Sequence, residues 1–304
     1  MRHEARDLTT SGSLSAKAEP LYRQQIARMV YLLAHDPTMG FAAFVLLLIT
    51  FMAVFAPFLS PYDPITQDTP NRLQGISSLH FLGTDHFGRD IFTRLMYGSR
   101  TILLVGFVSI AFAVTTGTFL GMVAAYVGGT VETLIMRSID VLLSFPLILL
   151  SIVIVVILGP GILNLILAIG ISQVPLFTRL ARSLTLSICA CDYIQAAYSI
   201  GASGSRILSH HVLPNIITTL FVQATTTLGL AILNASALNF LGLGIQPPSP
   251  DWGAMVSDFR RFVFDRPYLP LYPGAAITVL VLTLNLIADG LVKTIDPTAS
   301  KNRA

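Results

Sequence analysis

Charged side chains are scarce in this sequence, at 12% of 304 residues, where a water-soluble domain carries about 25%. A chain so poor in charge cannot cover a water-facing surface of its size. Lysine occurs three times, at Lys17, Lys293 and Lys301, and none follows a glycine. The G-K-[ST] core of a phosphate-binding loop is therefore missing, and the chain cannot hydrolyse ATP by that route. The two cysteines, Cys189 and Cys191, form a C-x-C pair, which is poor geometry for a disulfide and too few ligands for a metal site. All six histidines lie outside the apolar runs, so no cluster suited to intramembrane catalysis exists. The formal net charge of +3 is small and scattered, which argues against nucleic acid as a partner. Gly242-x-Gly244 is no dinucleotide fingerprint, because Pro247 stands at the third glycine position and no strand precedes it.

Apolar residues, by contrast, make up 53%, with a mean hydropathy of +0.71. Several runs reach the roughly 20 residues needed to cross a ~30 Å hydrocarbon layer. The pattern predicts six spans: 40–59, 101–126, 139–158, 162–177, 216–240 and 273–291. The fold class expected is an all-α integral membrane bundle of six transmembrane helices. Residues 1–38 form a polar leader, with 21–33 suited to an amphipathic surface helix. In the second run, Gly117-x-x-x-Gly121 allows close helix contact. Asp140 enters the third run three residues after Arg137 and is expected to pair with it at the membrane interface. Gly159-Pro160-Gly161 predicts a hairpin between the third and fourth runs. In the fifth run Thr219, Gln223, Thr227 and Asn234 fall within about 80° of one another on a helix, either bonding to neighbours or lining a wet path. Ahead of the second run, Asp85 precedes Arg89 by four residues and Asp90 precedes Arg94 by four. That is the spacing of a surface helix held by its own charges.

One polar stretch stands apart from the rest, Asp192 to Asn215. The spacing predicts two short helices meeting at a bend. Gly201 ends the first with φ > 0, Ser203 caps the second, and Pro214 opens the next apolar run. The small residues Ala196, Ala197, Ser199, Gly201, Ala202, Ser203, Gly204 and Ser205 let another protein approach the backbone closely. Docking is the expected task, with no bond-making chemistry.

The series Gln195-Ala196-Ala197, three residues, Gly201, then Leu213-Pro214 resembles the EAA loop of ABC-importer membrane subunits. Gln195 replaces the usual Glu and His211 the usual Ile; the His-Val-Leu-Pro-Asn ending at 211–215 is similar to the dipeptide, oligopeptide and nickel branch. LGTDHFGRDIFTRLMYGSR at 82–100, FLGLGIQPPSPDWGAM at 240–255 and Asn285 to Gly290 with Asp296-Pro297 are similar to the same branch. The resemblance covers residues ~38 to 298. It implies a binding-protein-dependent, type I importer bundle, and it implies that Gln195, Ala196, Ala197, Gly201, Ala202, Ser203, Arg206, Leu213 and Pro214 seat a cytoplasmic ATPase. The pathway residues expected are Gln223, Thr227 and Asn234. The division expected is a cytoplasmic tail (1–38), a first span with its outer segment (39–100), a permease core (101–292) holding the docking loop (190–215), and a C-terminal tail (293–304).

No cofactor belongs to this chain on that reading, since ATP and Mg are held by partners. The partners implied are a second related permease subunit, two ATP-binding subunits, an extracytoplasmic solute-binding protein and membrane lipid. The location implied is a bacterial inner membrane. With both termini inside, inner segments carry twelve Lys/Arg and the two outer loops seven, the direction of the positive-inside rule. The solutes open to such a chain are di- and oligopeptides, and alternatively nickel chelates, glutathione or opines. An ion-coupled transporter would require acidic or histidine groups at mid-span, whereas Asp140 and Asp289 sit near span ends.

Overall fold

The computed structural model describes residues 36–295; the leader helix expected at 21–33, most of the tails and the Asp296-Pro297 ending lie outside them. The described residues contain helices and one isolated bridge, Thr84 with Asp90. The helices are α1 (Pro37–Leu59), α2 (Ile91–Val127), α3 (Gly129–Leu143), α4 (Leu147–Leu158), α5 (Ile162–Cys189), α6 (Asp192–Ser199), α7 (Gly204–Phe240), α8 (Trp252–Phe259) and α9 (Tyr268–Ile295). Among the described residues, five are long and apolar enough to cross a membrane, and α3 with α4 form a sixth, bent candidate. The all-α fold class holds.

Hydropathy locates the spans but sets their ends too far inward. Helix α2 starts ten residues before the apolar run because Asp90 caps it, accepting the Thr93 amide at 2.7 Å. Helix α1 starts at Pro37 under the Asp36 cap. The third run is not a straight span. Helices α3 and α4 are bent by 95° at the break before Leu147, where Pro146 cannot continue a helix. Residues 127–138, left between the second and third expected runs, are themselves mostly helix α3. Helix α4 has 12 residues, about 18 Å, and packs along α5, where Ser151 Oγ donates to Ser172 Oγ at 2.9 Å. Helix α3 is pinned across the far end of α5 by Glu132 with Arg182 and Asp140 with Arg179 at 2.6 Å. Asp140 therefore pairs across the bundle, and the expected local pair with Arg137 does not form.

The centre of the bundle is the contact between α2 and α5. A methyl group on Gly117 would lie 2.6 Å from Phe177 Cβ, and one on Gly121 would lie 2.8 Å from Ala181 Cβ and from the Arg182 amide nitrogen. These two glycines let the helix backbones meet, as the spacing predicts. Phe177 and Ala181 are fully buried there. Helix α1 is the opposite case. Phe41, Phe44, Leu47 and Phe58 stand exposed along it, a surface suited to lipid and not to water. It touches the bundle through small or flexible residues, Met39, Ala42, Ala53 and Ala56.

On the side between α1 and α2, residues 60–90 and 241–267 interlock into a cap. Asp85 is its buried hub, in a loop and not on the expected surface helix. It accepts the backbone amides of Phe87 (2.8 Å) and Arg89 (3.0 Å) and the Arg89 Nε at 2.7 Å. Arg94 faces Asp85 at 3.8 Å, not Asp90. Its Nη1 donates to the carbonyls of Pro64 (2.6 Å) and Pro248 (3.3 Å), so one side chain joins both loops to α2. Asp90, besides its cap, holds His80 Nδ1 at 2.9 Å. Trp252 is buried, its indole N–H donating to Leu95 O at 2.8 Å. Arg266 donates to Leu73 O at 2.6 Å. Asp251 caps α8 through the Ala254 amide at 3.1 Å, and its second oxygen has no donor. Burial pushes the Asp251 carboxyl up to about 6 from an ordinary 3.8.

Two outcomes test this packing. Gly121→Ala is expected to lower stability by about 1–3 kcal/mol, since backbone must shift to admit the methyl. Gly274→Ala, in helix α9 with open space around it, is expected to hold or raise the thermal midpoint, since alanine is the better helix former. For Asp251 the folded value is raised, so its stabilising contribution is full below 3.8 and is lost as pH rises through about 6. The thermal midpoint of the purified chain should therefore fall between pH 5 and pH 7 by more than that of Asp251→Asn, which retains a good cap.

Candidate docking site

The chain leaves α5 at Cys189 and reaches α7 at Gly204 through the stretch singled out in the sequence. It lies at the end of the bundle opposite the cap, the end where Lys293 meets Asp36 at 3.5 Å. Helix α6 is amphipathic. Ile194 and Ala197 are buried beneath it, and Gln195, Ala196 and Ser199 are exposed above. Gln195 is not free: its Nε2 donates to Cys189 O at 3.1 Å and ties α6 to the end of α5. A glutamate could not donate that bond.

The bend closes as the sequence predicts. The Ala202 amide reaches back to Ala197 O at 3.1 Å and the Gly201 amide to Tyr198 O at 2.9 Å, with Gly201 at φ +84. This pair of bonds is the Schellman closure, which requires a left-handed residue at Gly201. Ser203 occupies the cap position of the next helix, but its hydroxyl lies 3.4 Å from Ser205 Oγ and makes no cap bond. That next helix is not short. It continues without interruption to Phe240, 37 residues in all, so the bend is the tip of a transmembrane helix. Residues Ile207–Val212 form a wide π turn just ahead of Pro214. A wide turn relieves the clash between a prolyl ring and the carbonyl one turn back. Ile207 and Val212 anchor this segment in the core, Leu213 is half-buried, and Pro214 and Arg206 are exposed.

Sequence reasoning missed the most prominent side chain here. Ile200, at the end of α6, is 86% exposed, flanked by the half-exposed rings of Tyr193 and Tyr198. The surface is thus small-residued with one apolar knob. An apolar residue immediately before a turn glycine was the available signal. Tyr198 also stacks on Tyr126 of α2, 6.2 Å between ring centroids and 15° from parallel. Burial and the Tyr126 hydroxyl push the Tyr198 phenol upward. The arrangement offers a closed, protruding turn, and its one hydroxyl beside an imidazole, Ser209 Oγ at 2.7 Å from His210 Nδ1, is an exposed contact between chain neighbours. Among the described residues no group of three His, Cys, Asp or Glu could hold a metal ion.

Further along α7, Gln223 Nε2 donates to Thr227 Oγ1 at 3.2 Å, and Thr227 Oγ1 donates to Gln223 O at 2.7 Å. Thr227 is buried and Gln223 and Asn234 are half-buried. The Asn234 amide nitrogen is buried without a partner, as is that of Gln173 in α5. Gln173 was not singled out from the sequence, because its neighbours show no polar periodicity.

Residues 117–301 match the family described as binding-protein-dependent transport system inner membrane component. Residues 26–75 match the N-terminal TM domain of oligopeptide transport permease C. The chain is 48% identical to a dipeptide transport system permease protein of Alkalihalophilus pseudofirmus over 246 residues, 81% of each chain. It is 39% identical to a probable D,D-dipeptide transport system permease protein of Escherichia coli, covering 90% of this chain and 92% of that one. It is 42% identical to a glutathione transport system permease protein of Pectobacterium atrosepticum, covering 84% of both. Among solved structures it resembles the inward-facing MetNI methionine ABC transporter, with TM-score 0.55 at 18% identity, over 67% of this chain and 96% of that one. That likeness extends to the fold. A multi-pass helical bundle, the match over residues 117–301 and the permease relatives converge on one conclusion: the chain belongs to the binding-protein-dependent transport system inner membrane components, the permease subunits of ABC importers.

Proposed function

We propose that this permease subunit passes dipeptides and short oligopeptides across the membrane, received from an extracytoplasmic binding protein and driven by ATP-binding partner subunits seated on the α6–α7 turn. The observation that carries the docking half is the Schellman-closed turn itself, with Ile200 projecting from it. A tightly closed turn transmits a push without deforming, and an apolar knob amid small residues fits a cleft on a partner. Gln195 spends its side chain on the Cys189 carbonyl, so the contact needs no carboxylate from this chain. The substrate half is supported by the dipeptide relatives and by the oligopeptide permease match at 26–75.

In this reading the two termini and the docking turn face the cytoplasm, where ATP and Mg bound by the partners close two nucleotide-binding subunits. Closure pushes the turn, and the bundle passes from inward-open to outward-open. A second, related permease chain completes the path, since six helices enclose little room for a peptide. Of the three expected pathway residues, the half-buried Gln223 and Asn234 contribute polar surface to that path, and the buried Thr227 holds the Gln223 amide. A second reading, glutathione as solute, is favoured by the 42% identical glutathione permease; glutathione is itself a tripeptide, so both fit one path.

Uptake of radiolabelled dialanine and of glutathione into proteoliposomes holding the assembled complex and its binding protein decides between them. Uptake of the dipeptide is expected. Transport of neither, with transport of a nickel chelate instead, would overturn the peptide reading. For the docking half, a photo-crosslinking residue at Ile200 or Ser205 is expected to capture the ATP-binding subunit. Ile200→Ser is expected to weaken that association by about tenfold or more, the loss of one well-buried apolar anchor. Capture of lipid or of nothing would contradict the docking assignment.

A further inference from the structure

Tyr126 lies one residue before the end of α2, and it sits between the two arms of the docking turn. On one side its ring stacks against Tyr198 of α6. On the other it lies against Gly204, the first residue of α7. A methyl group on Gly204 would fall 2.6 Å from the ring's Cε1 and Cζ, so no other residue type leaves the ring in place. Glycine is otherwise a poor choice for a helix, about 1 kcal/mol worse than alanine. The close approach of the ring gives a reason for it.

The position matters because of what is covalently joined to the turn and what is not. Helices α5 and α7 run into it directly, whereas α2 ends beside it and turns away at Gly128. A push on the turn reaches α2 only through side-chain contact or by way of α5. The Tyr126 ring stacks on Tyr198 of α6 and sets its hydroxyl end against Gly204 of α7, so displacement of either arm bears on it. Behind it α2 continues into the glycine contact with α5 and on to the cap.

We propose that Tyr126 is the positioning residue through which movement of the docking turn is delivered to α2, with Gly204 as the recess that keeps its ring engaged. This rests on the docking reading above. The two-sided contact predicts a difference between losing the ring and losing only its hydroxyl. Tyr126→Phe gives up the hydroxyl but keeps the stack on Tyr198 and the Cε1 and Cζ edge against Gly204, and keeps the coupling. Tyr126→Ala removes the ring, and Gly204→Ala forces its hydroxyl end to shift away from α7.

The test uses the complete complex with its ATP-binding subunits, with Cys189 and Cys191 replaced by serine. Spin labels are placed at the exposed Thr115 of α2 and Thr278 of α9, and their separation is measured with and without ATP and Mg. The unaltered chain and Tyr126→Phe are expected to shift by about 5 Å, a one-turn movement of one element past another. Tyr126→Ala and Gly204→Ala are expected to lose that shift while ATP hydrolysis stays within about twofold, a coupling lesion and not a folding one. An undiminished shift in Gly204→Ala overturns the assignment even where Tyr126→Ala fails to assemble. So does an unaltered complex that hydrolyses ATP with no shift. An unaltered chain that retains no ATP-binding subunit overturns the docking reading, and this one with it.

Discussion

The direct meeting of backbones at Gly117 and Gly121 is the contact on which the remaining architecture depends. Lipid offers no hydrophobic drive between apolar helices, so close packing and hydrogen bonds must hold them. Two glycines a turn apart bring α2 against Phe177, Thr178 and Ala181 of α5. That pairing makes α2 a strut about 55 Å long at 37 residues. Its first turns are fastened to the cap through Arg94, Trp252 and the Asp90 cap. Its last turn is fastened to the docking turn through Tyr126. One helix thus joins the two functional faces, and α5 supports it along the middle.

The two faces are built on different principles. The cap concentrates buried charge, with Asp85 satisfied by two amides and Arg89, and Arg94 tied by Nη1 to carbonyls of two loops while its Nε faces Asp85 at 3.8 Å without a hydrogen bond. Removing one partner from such a set leaves an uncompensated charge, at about 3–5 kcal/mol. It is a locked assembly of irregular backbone. The docking turn has almost no buried charge and relies on backbone closure, small residues and aromatic contact. On the proposed function, that difference suits a face that keeps its shape and one that carries a push.

Much of this was legible in the sequence, and the gaps have physical causes. The glycine seam and the left-handed Gly201 were readable because each is a position that excludes other residues. The apolar runs located the five long spans and missed the 95° bend in the third run, because hydropathy registers the hydrocarbon layer and not the helix. Ends at Ile91 and Gly204 are set by Asp90 and by the closed turn, outside the greasy stretch. The Asp85–Arg89 spacing fits a helix and a tight loop equally well, and burial alone distinguishes them. Asp140 chose Arg179 over Arg137 because the bend before Leu147 lays α3 across α5. Ile200 and Tyr126 looked like ordinary apolar residues near span ends, where aromatics commonly sit at the interface. Only the closed turn reveals one as a knob and the other as a wedge.

The central claim is that α2 and the docking helix move as one body while the bundle switches. Its most direct test is to join them covalently. In a chain lacking Cys189 and Cys191, cysteines introduced at Val127 and Ser199 are bridged with a short bismaleimide, and ATP-driven solute uptake by the whole complex is measured before and after. The account predicts uptake unchanged by the bridge. Uptake abolished by it while the ATP-binding subunits stay bound would show that the two helices must slide past each other, and would contradict the account.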